Sequence, residues 1–82
     1  MEITVKLFGT LRRYRPASAG GAPHHPFSVS LAPNSTISDL TDNLAIKEGF
    51  VSAAAINGEA VGNDALLQDG DTVHLFPPAA GG

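Results

Sequence analysis

Few side chains in this sequence could do covalent chemistry, and their spacing does not assemble a catalyst. The 82 residues include no cysteine, which removes disulfides, thiolate catalysis and thiolate metal sites and leaves the redox compartment unconstrained. His24-His25 sits in a Gly/Pro-rich stretch without clustered carboxylates; it meets no closed coordination set and reads as solvated loop, so no metal ligand is expected. Asp69 and Asp71 flank Gly70, where they read as shapers of a turn rather than as paired acid and base. Arg12, Arg13 and Arg15 either cover a solvated turn or meet acidic groups on a partner. With no Ser/His/Asp set and no phosphate-cradling loop, no catalytic residue is expected, and the chain reads as a co-substrate. What remains is the phrase Leu75-Phe76-Pro77-Pro78-Ala79-Ala80-Gly81-Gly82.

The elements that must position this end follow from periodicity. Residues 2–8 alternate, with Ile3, Val5 and Leu7 on one face and Glu2, Thr4, Lys6 and Phe8 on the other, the pattern of a half-buried strand. Residues 9–26 hold Gly9, Pro16, Gly20, Gly21, Pro23 and Pro26 and read as a turn and a long flexible loop. Phe27, Val29 and Leu31 alternate with serines as a second strand. Ser35 or Thr36 caps a helix with Asp39 in its first turn; Ile37, Leu40 and Leu44 recur at helical spacing, and Gly49 offers a C′ position, which implies about ten to twelve helical residues. Val51 to Asn57 is expected as a strand ending in the tight-turn dipeptide Asn57-Gly58. Glu59 to Val61 reads as a short return strand and Asp64 to Leu67 as a helical turn. Asp69-Gly70-Asp71 turns into a last strand, Thr72 to Phe76, which Pro77-Pro78 stops because proline cannot donate to a ladder.

Composition sets the outer bounds. A chain this short has room for one domain and one modest core. Its 43% hydrophobic and 16% charged residues suit a folded globule. A net charge of −3 with no basic run argues against nucleic acid as a partner. No signal-peptide pattern opens the sequence and no window is apolar for the roughly 18 residues a membrane span needs, so no membrane association and a cytoplasmic location are the default expectations.

The sequence resembles the MoaD/ThiS family of ubiquitin-like sulfur carriers, and more closely its MoaD branch. The resemblance rests on the closing phrase, Leu75 through the di-proline to Gly81-Gly82, together with Leu7-Phe8, Leu11-Arg12, Thr36 with Asp39-Leu40, Ile56-Asn57-Gly58, and Leu67 through Asp71. It departs in residues 12–26, which leaves the particular sulfur pathway open. The implied fold is α+β, a β-grasp with a mixed sheet of four to five strands and one main helix on one face, residues 1–76 forming the domain and 77–82 a flexible tail.

The resemblance implies a function for that tail. A ubiquitin-activating-type adenylyltransferase (MoeB/ThiF-like) would use ATP and Mg²⁺ to adenylate the carboxylate of Gly82, a sulfur donor would displace AMP, and the resulting thiocarboxylate would give its sulfur to a pterin precursor held by the larger molybdopterin synthase subunit (MoaE-like). The chain itself would bind no cofactor. Pro77, Pro78, Ala79, Ala80 and Gly81 would form the inserting arm, about 20 Å long with Gly82 at roughly 3.3 Å per residue. The prolines stiffen it, and the glycines lack the Cβ atoms that a narrow channel would reject. Strand parity puts Phe8 and Phe76 on the same, helix-free face, and the β-grasp that the resemblance implies makes the first and last strands neighbours, so the two rings are expected together as a partner surface, unless a bulge turns one into the core. The alternatives are a ThiS-like donor for thiazole or another sulfur route, a ubiquitin-like modifier joined to target lysines through Gly82, and a binding module with an inert tail.

Overall fold

The strict alternation of Ile3, Val5 and Leu7 with polar residues folds as strand β1 (Glu2–Leu7) in a computed structural model that describes residues 1–47 and 49–78. The second alternating segment forms β2 (Phe27–Ser30), antiparallel to β1 with Ile3 opposite Val29. The small-residue run is β3 (Ala53–Ile56), which Asn57-Gly58 turns back into β4 (Glu59–Val61). Both turn residues have positive φ, 51° and 88°, the backbone of the two-residue turn that matches strand twist. The last alternating segment is β5 (Thr72–Phe76), parallel to β1 and antiparallel to β3. The sheet is therefore mixed, in the order β2-β1-β5-β3-β4.

Helix α1 (Ile37–Asn43) starts at Thr36, whose hydroxyl accepts from the Asp39 N–H while Asp39 accepts from the Thr36 N–H, a reciprocal cap of the kind that contributes about 1 kcal/mol. The helix is shorter than its spacing predicts. Ala45 adopts a φ of 60°, and the N–H groups of Ala45 and Ile46 donate to the carbonyls of Asp42 and Thr41, which closes the end in a Schellman pattern. Ala45, not Gly49, is thus the C′ residue, and the chain turns there to bury Ile46.

Ile37, Leu40 and Leu44 pack with Ile3, Val5, Leu7, Val73 and Leu75 into one core on one face of the sheet. Each fully buried aliphatic chain contributes about 1.5–3 kcal/mol relative to exposure. Asp64 to Leu67 is not a helical turn: Leu66 forms a bridge with Thr36, and the Leu67 N–H donates to the Ser35 carbonyl, so its backbone is taken up by the entry to α1. The 9–26 segment is also more ordered than its composition suggests. It contains 3-10 turns at Gly9–Tyr14 and Ala17–Ala19, and Arg15 donates to the carbonyls of Gly20 and His25 while its guanidinium lies over Phe27. Among the described residues no helix is long and apolar enough to cross a membrane.

Candidate functional site

Because β1 and β5 run parallel and side by side, with Lys6 opposite His74 and Leu7 opposite Leu75, residues of one parity on both strands share the face away from α1. Phe8 follows β1 in an extended conformation and its N–H donates to the Leu75 carbonyl, so parity carries through to it. Its ring stacks on Phe76 with centroids 4.6 Å apart and planes 18° from parallel. His74 meets Phe8 edge-on at 5.3 Å, and the Lys6 Nζ lies 5.1 Å from the Phe8 centroid. Neither phenylalanine enters the core; both are half-buried, and no bulge diverts them. Beside them stand Ala53 and Ala55, opposite Phe76 and His74 on β3.

The aromatic pair sits at the root of the tail, and the root is held on two sides. Strand β5 lies between β1 and β3, so the residue after Phe8 and the residue before Ala53 flank its end. Ser52 donates its N–H to the Phe76 carbonyl at 2.9 Å and its hydroxyl to the Pro77 carbonyl at 2.7 Å. On the β1 side Gly9 has a φ of 55°, and a Cβ placed there would stand 2.9 Å from the Pro77 Cγ; only glycine fits this approach without a shift. Gly9 and Ser52 thereby set the direction in which Pro77-Pro78 leaves the domain. Sequence reading missed both, because a serine in a loop and a glycine in a turn give no periodic signal of a partner at the other end of the chain.

Ala79, Ala80, Gly81 and Gly82, the expected arm and reactive tip, lie outside the described residues. Of the remaining candidates, the three arginines separate. Arg15 is spent inside its own loop, Arg13 lies over the Tyr14 ring at 5.7 Å, and Arg12 is exposed. Asp69 and Asp71 act in turns: Asp69 accepts from the Glu2 N–H, and buried Asp71 accepts from the Gln68 N–H and the Asn57 side-chain amide. The imidazoles of His24 and His25 pack on each other, and His25 Nδ1 accepts from the Ala22 N–H. Among the described residues no group of three His, Cys, Asp or Glu could hold a metal ion.

The model of the family described as the ThiS family matches residues 5–82. No curated protein matches the chain. Among solved structures, SAMP1 from Haloferax volcanii superposes with a TM-score of 0.67 at 24% identity, over 100% of both chains, a likeness of fold. A protein of Pyrococcus furiosus, provisionally assigned as molybdopterin converting factor subunit 1, has a TM-score of 0.66 at 25% identity, covering 95% of this chain and 98% of its own. In the complex of subunits 1 and 2 of the molybdopterin-converting factor from Helicobacter pylori, the matching chain has a TM-score of 0.60 at 26% identity, over 100% of both chains.

Proposed function

The chain belongs to the ThiS family of ubiquitin-like sulfur carriers, and from that membership we propose that it works as the small subunit of a molybdopterin synthase, carrying sulfur as a thiocarboxylate on Gly82. The observation that carries this reading is the Phe8–Phe76 stack at the root of the tail. A carrier must present its chain end and a binding surface together, because the end reacts only inside another protein's active site. A half-buried aromatic pair on the sheet face away from α1 is such a surface. The larger-subunit partner is supported by the subunit 1 and 2 complex of the relative from Helicobacter pylori.

In this reading the Gly82 carboxylate attacks the α-phosphorus of ATP on an activating enzyme and releases pyrophosphate. Hydrosulfide then attacks the acyl carbon, forming the C–S bond as the C–O bond to AMP breaks, which leaves the thiocarboxylate and free AMP. The larger subunit binds the Phe8–Phe76 face and receives the arm, whose last four residues can span at most about 13 Å beyond Pro78. The chain supplies orientation rather than acid–base groups, and the gain comes from confining the reacting carbon near its acceptor.

Genetic replacement tests the pathway. Expressed in a strain lacking its own molybdopterin synthase small subunit, the chain should restore molybdoenzyme activity. Rescue of a thiazole auxotroph with no recovery of molybdoenzyme activity would contradict the assignment and favour a thiamine-directed donor.

A further inference from the structure

A second aromatic surface stands beside the tail, away from the Phe8–Phe76 stack. Tyr14, at the end of the first 3-10 turn, and Phe50, in the loop before β3, approach to 6.4 Å between centroids. Together with Thr10, Leu11, Arg13 and Pro78 they line a hollow. Leu11 belongs to the core between sheet and helix, so the hollow opens on the helix side of the end of β5, whereas Phe8 and Phe76 occupy the other face. Phe50 is 42% exposed, one of two large apolar side chains among the described residues to stand so far out. Arg13 is exposed and lays its guanidinium over Tyr14 at 5.7 Å, which places a cation at the rim of an apolar floor in a chain of net charge −3.

We infer that this hollow is a second docking site, read by the adenylating partner through an apolar side chain with a carboxylate beside it. The inference rests on the sulfur-carrier reading and on the short reach of the tail. Pro78 forms one wall of the hollow, and the four residues beyond it span at most about 13 Å. A protein that holds the Gly82 carboxylate at its nucleotide must therefore bring its channel mouth against the ground around Pro78. A standard footprint of about 800 Å² per partner is roughly 30 Å across, so one centred on the tail root covers both faces of the β5 end. The apolar floor takes an apolar side chain, and the Arg13 fork pairs with a carboxylate. The arginine suits this place chemically as well, since a guanidinium stays protonated near neutral pH and does not compete for the activated acyl group as an amine would.

The test is pyrophosphate release by the adenylating enzyme of the same organism with ATP and Mg²⁺, titrated with the carrier. Phe50→Ala and Arg13→Glu should each raise KM for the carrier about tenfold and leave kcat within about twofold, the pattern of lost binding rather than lost chemistry. Both sites are exposed, so the melting curves should overlay that of the unaltered chain; should Phe50→Ala lower the melting point, Arg13→Glu, which removes no apolar contact from the core, carries the test. An unchanged KM in a folded variant overturns the second docking site while leaving the carrier reading intact. No turnover of the unaltered chain overturns both.

Discussion

The hydroxyl of Ser52 donates to the carbonyl of Pro77 at 2.7 Å, and this bond, with the Gly9 approach on the other flank, joins the loop before β3 to the first residue of the tail. Because the bond is solvent-exposed, Ser52→Ala should cost no more than about 1 kcal/mol of stability. It should lower kcat of the adenylation step several-fold by widening the range of tail directions, and Ser52→Thr should restore it. Gly9→Ala should cost more, about 1–2 kcal/mol, because it adds left-handed strain to the clash with Pro77. Melting curves with adenylation kinetics separate the two effects; unchanged kcat in Ser52→Ala would mean that the tail direction is set elsewhere.

Phe76 is half-buried and stacked on Phe8 rather than packed in the core. Phe76→Ala should therefore cost about 1–2 kcal/mol, the loss of a stacked pair and part of its area, below the roughly 3–5 kcal/mol of a truncated core phenylalanine. Its larger effect should be on affinity for the larger subunit, at about 2 kcal/mol or some thirtyfold in Kd. Calorimetric titration beside a thermal melt checks this, and a large drop in melting temperature with unchanged affinity would place Phe76 in the core.

Asp71 is buried and accepts from both the Gln68 N–H and the Asn57 amide, while Asn57 in turn accepts from the Thr72 N–H. One carboxylate thus ties the β3–β4 turn to the start of β5. Asp71→Ala leaves two donors without an acceptor and should cost about 2–3 kcal/mol, read as a lower urea midpoint. A midpoint within error of the parent would show that water replaces the carboxylate freely.

Much of this fold was legible because it repeats with a period. The alternation in β1 and β5 put Phe8 and Phe76 on one face, and the turn dipeptide Asn57-Gly58 marked its hairpin. That β1 and β5 are neighbours was implied by the family resemblance alone, since no local pattern carries it, and their parallel direction is a finding of the structure. The end of α1 was misread because Leu44, Lys47 and Gly49 continue a plausible helix, whereas the chain places Ala45 in a conformation that alanine seldom adopts. The 9–26 segment looked flexible because glycine and proline dominate it, and the bonds from Arg15 to carbonyls of its own loop leave no trace in periodicity. Tyr14 and Phe50 went unnoticed for the same reason: both lie in irregular segments, where only the folded chain brings them together.

The left-handed conformation of Ala45 can be tested by substitution. Ala45→Gly relieves about 1 kcal/mol of left-handed strain, partly offset by the greater freedom of glycine in the unfolded chain. The variant should melt at the same temperature as the parent or slightly higher. A clear destabilisation would mean that the alanine methyl makes a contact worth more than the strain.

The central claim is that sulfur rides on Gly82, and intact mass with fragmentation of the C-terminal peptide tests it most directly. After incubation with the activating enzyme, ATP, Mg²⁺ and a sulfur donor, the chain should gain the mass of one oxygen replaced by one sulfur, confined to Gly82, and a variant bearing one extra residue after Gly82 should carry no sulfur there. An unchanged mass in the presence of AMP formation, or lysine-linked conjugates in place of the thiocarboxylate, would contradict the sulfur-carrier account.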